Sequence, residues 1–199
     1  DDFNSATNMQ DYANIRYAVE AGRDGYGTIF VFGAGNDRSF GDNVNHHNFQ
    51  NARETITVAS VAQDDTISSF STPGAAILVA AYGEDILTTD RLGELGYNPK
   101  MGPPNLDYTL AQGTSFSAPE VSAIVALMLE ANPELGYRDV QAILAHSARH
   151  PESASWKVNA ADSHNLGGLY FNDDMGFGIV NAHSAVRLAE TWSATNTAH

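Results

Sequence analysis

The amino-acid sequence predicts an α/β fold with a mainly parallel sheet held between helices, and three features carry that reading. Two unbroken runs rich in β-branched residues, Thr28-Ile29-Phe30-Val31-Phe32 and Thr55-Ile56-Thr57-Val58-Ala59-Ser60-Val61, have the composition of strands buried on both faces, as parallel strands are. A helical apolar spacing, Tyr12, Ile15, Ala18 and Val19, precedes the first of them, which gives the helix-then-strand rhythm of the class. The third feature is Glu120-Val121-Ser122-Ala123-Ile124-Val125-Ala126-Leu127-Met128-Leu129, apolar or small on nearly every face, as expected of a helix in the middle of a domain.

Taken in order, the first helix runs from Asn8 to Gly22, which serves as its C-cap, and Gly25-Tyr26-Gly27 turns the chain into the first strand. Gly33-Ala34-Gly35-Asn36-Asp37 follows at the carboxyl end of that strand, where open α/β sheets place their ligand sites. A dinucleotide loop is not the reading, because Arg38 stands in place of the third glycine of G-x-G-x-x-G and no helix pattern follows. Arg38 to Asn51 is a polar surface loop; its adjacent His46 and His47 would point apart in extended chain and are not read as a metal pair. After the second strand, Ala76 to Ala80 and Ile86 to Thr89 are shorter extended runs, and Gly93 to Pro104 is a Gly/Pro-rich loop. Asn132-Pro133 stops the central helix. Tyr137 to Ala148 places Val140, Ile143, Leu144 and Ser147 on one face of an amphipathic surface helix, closed by Pro151. His146 and His150 lie near its C-terminal end, where the helix dipole favours imidazolium, and are read as structural. Asn159 to Asp174 is polar and loop-like, and a Gly176-Phe177-Gly178 turn leads into a last helix.

Composition narrows the functions on offer. With 199 residues, 43% of them hydrophobic, and nothing resembling a linker, the chain suits one domain or part of one. The net charge of −14 argues against nucleic acid or an anionic membrane as partner and is compatible with cations or basic substrates. Zero cysteines remove disulfides, zinc-thiolate sites and a thiol nucleophile together. No apolar run reaches the length of a membrane span, and the N-terminus carries neither an initiator Met nor a signal-peptide pattern. The expectation is a chain cut from something longer.

Ser115, in Gly113-Thr114-Ser115-Phe116-Ser117-Ala118-Pro119, is the candidate nucleophile. A serine at the N-terminus of a buried helix meets unpaired N–H groups and the positive end of the dipole, which stabilise negative charge beside its oxygen. Pro119 is expected in the first turn, where a missing N–H costs nothing. Taken alone, a serine before a helix is commonly an N-cap. The whole string, however, resembles the nucleophile motif of the subtilisin-like serine proteases, Gly-Thr-Ser-x-Ala/Ser-x-Pro, which makes Ser115 reactive and Ser117 not. Ala34-Gly35-Asn36 after a buried strand resembles the same family's oxyanion motif, so Asn36 is the implied side-chain donor. Leu129 to Gln141 and Gly176 to His183 are similar to the kexin/furin-like branch. The resemblance runs from about Asp1 to Trp192.

That resemblance implies the subtilisin-like three-layer fold, with residues 1–199 forming the back, nucleophile-bearing part of a catalytic domain that a β-sandwich P-domain usually follows. It implies a serine endopeptidase acting on peptides or proteins through an acyl-enzyme, secreted or in the cell envelope. The family's catalytic Asp and His motifs, which precede this stretch, are absent, and none of the seven histidines stands in a His-Gly-Thr context. They are expected from an upstream part of the domain, and the chain alone is expected to be inactive. A binding or scaffold domain of the same fold is the alternative. An α/β-hydrolase esterase fits less well, since Ser117 occupies the place of the last glycine of G-x-S-x-G. The branch's structural calcium implies Asp42, with Asp1 as a second ligand, while Thr72 stands where a third acid is usual. Position 47, where a pocket carboxylate for basic P1 residues belongs, is His47, so a weaker basic preference is expected.

Overall fold

The computed structural model describes residues 5–98, 107–159 and 168–194. Helix α1 is Ala6–Ala21, capped by the Ser5 side chain accepting from the Asn8 N–H and closed at Gly22 as the spacing predicts. It buries little, Val19 being its one fully buried residue. Strands β1 (Phe30–Gly33), β2 (Thr55–Val61) and β3 (Val79–Tyr82) form a parallel sheet in that order, with Val31 opposite Ile56 and Ala59 opposite Ala80. All seven residues of β2 are buried, as its continuous apolar run requires at the centre of a sheet.

β1 departs from expectation. Its sequence is that of a strand buried on both faces, yet every residue of it is only partly buried. The reason is topological: among the described residues β1 has β2 on one side and no strand on the other. The β3 side is closed, because the Ala80 N–H donates to Gly178 and the Val180 N–H donates to Ala80.

Helix α2 (Thr114–Ala131) packs across all three strands, with α3 (Tyr137–Ser147) and α4 (Ala182–Thr191) beside it. Ile56, Val58, Val79 and Ala81 meet Val121, Val125 and Met128 of α2, Ile143 and Leu144 of α3, and Ala185 of α4 in one core. By strand alternation Ala59, Val61 and Ala80 point to the opposite face, where Val44, Ile77, Met175 and Ile179 close a second core. Two antiparallel hairpins complete the described chain, β4 (Ile86–Thr89) with β5 (Tyr108–Ala111), and β6 (Lys157–Val158) with β7 (Tyr170–Phe171). The polar composition of the second had suggested loop alone.

Two expectations about α2 are corrected. It starts at Thr114, so Pro119 lies in its second turn and withholds the N–H that would have bonded the Ser115 carbonyl. It is also not buried all round: Val121, Ile124, Val125 and Met128 face the core, while Ser122, Ala123, Ala126 and Leu127 are exposed, Leu127 by 49%.

Candidate active site

Two elements that start far apart in sequence bring the site together. β1 ends at Gly33, and the chain turns through Gly35 to leave Asn36 exposed just beyond the sheet. α2 begins at the same place, with Ser115 exposed in its first turn. The approach is so close that a Cβ on Gly33 would lie 2.6 Å from Thr114 Oγ1, which only glycine avoids. Gly113 is constrained twice: its φ of +140° disfavours any side chain, and a Cβ there would sit 3.2 Å from Ser115 Oγ and 3.6 Å from Asn36 Nδ2.

Thr114 fixes the amide of Asn36. Its N–H donates to Asn36 Oδ1 at 2.9 Å, its hydroxyl donates to the same oxygen at 3.2 Å, and that hydroxyl accepts the Gly35 N–H at 3.1 Å. With Oδ1 occupied, Nδ2 is the end of the Asn36 amide left to donate to another group. The N–H of Phe116 is taken by the Gly113 carbonyl, whereas the Ser115 N–H has no partner among the described residues. Asn36 Nδ2 and the Ser115 N–H are thus two donors without a partner among the described residues, and Asn36 Nδ2 and Ser115 Oγ both lie close to Gly113. This is the arrangement needed to receive negative charge developing on a carbonyl oxygen.

Sequence reasoning does not single out Thr114, for which the available signal is its position directly before the candidate nucleophile. Sequence reasoning also misses Glu120, in the second turn of α2. Its carboxylate accepts the Tyr82 N–H at 3.0 Å and so ties α2 to the end of β3; burial holds its pKa above the usual carboxylate range against that bond. Ser117 is fully buried, and its hydroxyl has no hydrogen-bond partner among the described residues.

No histidine hydrogen-bonds Ser115 among the described residues. His146 lies against Trp192, and His150 packs edge-on to Trp156 and Tyr170 at 4.8 and 5.5 Å, in keeping with structural roles. His47 Nε2 meets Asp42 Oδ2 at 2.8 Å. Burial would raise the Asp42 pKa, but the His47 hydrogen bond, the Asn43 N–H and the two neighbouring imidazoles outweigh it and hold the carboxyl below its ordinary value.

The described residues do not by themselves form a calcium cage. One oxygen of Asp42 is taken by His47, Thr72 Oγ1 is buried and accepts the Asp37 N–H, and no group of three acidic or imidazole side chains able to hold a metal is found among them. Asp1, the second implied ligand, lies outside the described residues.

The fold agrees with the comparisons. The subtilase family profile matches residues 3–178, and the chain belongs to that family. It is 34% identical over 190 residues to proprotein convertase subtilisin/kexin type 6 of Rattus norvegicus, covering 93% of this chain and 19% of that protein. It is equally 34% identical to the dibasic-processing endoprotease of Schizosaccharomyces pombe, covering 96% of this chain and 26% of the relative. The chain thus spans about a fifth to a quarter of these relatives. The serine protease of Aeromonas sobria, solved with its chaperone, superposes with a TM-score of 0.86 at 22% identity, over 98% of this chain and 41% of that one. Among the described residues no helix is long and apolar enough to cross a membrane.

Proposed function

We propose that this chain is the nucleophile-bearing part of a subtilisin/kexin-like serine endopeptidase that cleaves peptide bonds through an acyl-enzyme. The observation that carries the proposal is the clamp of Thr114 on Asn36 Oδ1, which leaves Asn36 Nδ2 as the donor end of an amide held next to the residue before Ser115. Ser115 Oγ attacks the peptide carbonyl as its proton passes to an imidazole, the carbonyl oxygen becomes an anion held by Asn36 Nδ2 and the Ser115 N–H, and the amine leaves with that proton. A serine hydroxyl is protonated at neutral pH, so an imidazole and a carboxylate to orient it are required. In this proposal an upstream part of the domain supplies both, the polypeptide is secreted or held in the cell envelope, and a P-domain follows.

The test is labelling by a fluorophosphonate. Ser115 in the full-length parent is expected to label and Ser115→Ala to abolish labelling, while undiminished labelling of the variant would discard the assignment. The 199 residues alone are expected to leave peptides uncut. Substrates are expected to carry a basic P1 residue, selected less strictly than by a carboxylate-lined pocket because His47 is already engaged by Asp42. A P1 library separates this from strict Arg selection. Calcium at Asp42 and Asp1 belongs to the same proposal with its own test: a calcium-dependent rise in melting temperature that Asp42→Asn removes supports it, and no rise discards it.

The scaffold reading rests on the absence of an imidazole beside Ser115 among the described residues. Asp and His motifs in the longer polypeptide decide for the enzyme, and their absence decides for the scaffold.

A further inference from the structure

The end of the sheet opposite Ser115 carries a second cleft of different chemistry. Where β2 begins and the chain runs into β3, a space of about 470 Å³ opens between the first turn of α3 and the β7 segment. Its apolar side is Ile77 with Phe171 and Phe177, whose rings meet edge to face at 5.2 Å. Its polar side is Arg53, Arg138 and Gln141. Among the described residues no Asp or Glu lines it, in a chain that has 24 of them against 10 Lys and Arg.

The exclusion of carboxylates is built in. Glu54 and Asp139, the sequence neighbours of the two arginines, are both buried and committed elsewhere: Glu54 accepts from the Tyr12 hydroxyl, and Asp139 accepts from the Gly136 N–H and the Trp192 indole. Arg53 keeps Glu54 only at 3.7 Å and touches the Tyr137 hydroxyl at 3.4 Å. Arg138 is exposed and has no carboxylate partner among the described residues. Gln141 Nε2 donates to the carbonyls of Arg53 and Thr55, at 3.1 Å each, and so holds α3 and the start of β2 in fixed relation.

We propose that this cleft binds an acidic peptide segment of a partner protein, with carboxylates on Arg53 and Arg138 and a large apolar side chain on the Phe171–Phe177 pair. The apolar wall beside paired guanidinium groups suits a peptide that alternates acidic and apolar residues. Nucleic acid or an anionic membrane would meet only two cations and then the field of a chain with net charge −14. A short peptide stays within about 8 Å of the arginines, inside the range that physiological salt leaves unscreened. The cleft lies at the start of β2, level with Phe30, whereas the Asn36 loop leaves β1 after Gly33, level with Val58; about 10 Å of strand, at roughly 3.3 Å per residue, and then the Gly33–Asn36 turn separate the two sites, which lie at opposite ends of the β1–β2 pair. Binding at the cleft is therefore independent of the chemistry assigned to Ser115.

The experiment uses fluorescence anisotropy of this chain with a fluorescein-labelled Glu-Asp-Phe-Asp-Glu peptide and its neutral counterpart Gln-Asn-Phe-Asn-Gln. The acidic peptide is expected to bind, to weaken as salt is raised, and to bind at least about tenfold better than the neutral one. Arg138→Glu and Arg53→Glu are each expected to weaken it at least about tenfold, and Phe177→Ala to weaken both peptides. Arg16→Glu, an exposed change of equal charge on α1, is the control and is expected to leave binding unchanged apart from a small general effect. Unchanged thermal melts confirm that each variant is folded. Equal binding of the two peptides, equal loss in Arg16→Glu and Arg138→Glu, no binding of the acidic peptide, or tighter binding of single-stranded DNA or phosphatidylserine vesicles would each overturn the proposal.

Discussion

Asn36 can serve as a donor only while its carbonyl end is tied down, and Thr114 does this with two hydrogen bonds to one oxygen. Asn36→Ala in the full-length parent is therefore expected to lower kcat roughly a hundredfold to a thousandfold with KM little changed, a magnitude carried over from a subtilisin donor. Thr114→Val keeps the backbone bond and loses the hydroxyl, so the amide turns more freely, and a smaller fall in kcat of roughly tenfold is expected. A Thr114→Val loss as large as that of Asn36→Ala would mean that threonine does more than position the amide. Ser117 gives the opposite case. Its hydroxyl is buried without a partner among the described residues, so Ser117→Ala is expected to leave stability unchanged or raise it by up to about 1 kcal/mol, read as an unchanged or higher melting temperature. A marked fall would reveal a hydrogen bond to buried water.

At the scale of elements, the turn after β2 is fastened to the end of α3 by ions. Arg149 donates both guanidinium nitrogens to Asp65, at 2.5 and 2.7 Å, and one of them to the Tyr82 hydroxyl at the end of β3, which also donates to Asp65. The Arg149 hydrogen bond is the main cause that lowers the Asp65 pKa from 3.8 to about 2. A carboxyl depressed on folding stabilises the protein above its unfolded pKa and loses that contribution as pH falls through the folded one. The contribution is thus fully present above about pH 4 and lost toward pH 2. Thermal melts of the protein and of Arg149→Met are expected to differ at pH 6 and to converge toward pH 2. A constant difference across that window would assign the effect of Arg149 to packing.

At the scale of the whole molecule, the sheet has one closed and one open side. Gly178 to Val180 cover the outer side of β3, whereas β1 has β2 alone as neighbour among the described residues, although Ile29 to Phe32 have the composition of interior strand. Asn36 and Ser115 stand at that open side. An upstream part bringing an imidazole to Ser115 would approach there, with alternate backbone groups of β1 free to pair. Those amides of Phe30 to Gly33 that point away from β2 are expected to exchange quickly in this chain alone and to slow at least tenfold when the upstream part is added. Protection already present in the chain alone would show the edge to be covered by itself, and an edge unaffected by the added part would place that part elsewhere.

The sequence by itself determined most of the elements and named the candidate pair, Ser115 and Asn36. The period of two or of 3.6 in burial is local, so the seven-residue run of β2, the amphipathic α3 and the small-residue α2 were legible, as were Ser115 and Asn36 within short, residue-specific strings. Tertiary structure alone decided the rest. The Thr114 clamp joins residues 78 positions apart, and the Arg149–Asp65 pair joins residues 84 apart. Neither leaves a periodic trace, since a long-range hydrogen bond depends on where two elements meet and not on their local composition. The helix start at Thr114, which puts Pro119 in the second turn, followed from the φ of Gly113 and the fit of Thr114 against Gly33. The exposure of β1 was decided by which neighbours the strand has, a property of the assembled sheet that its own residues do not encode.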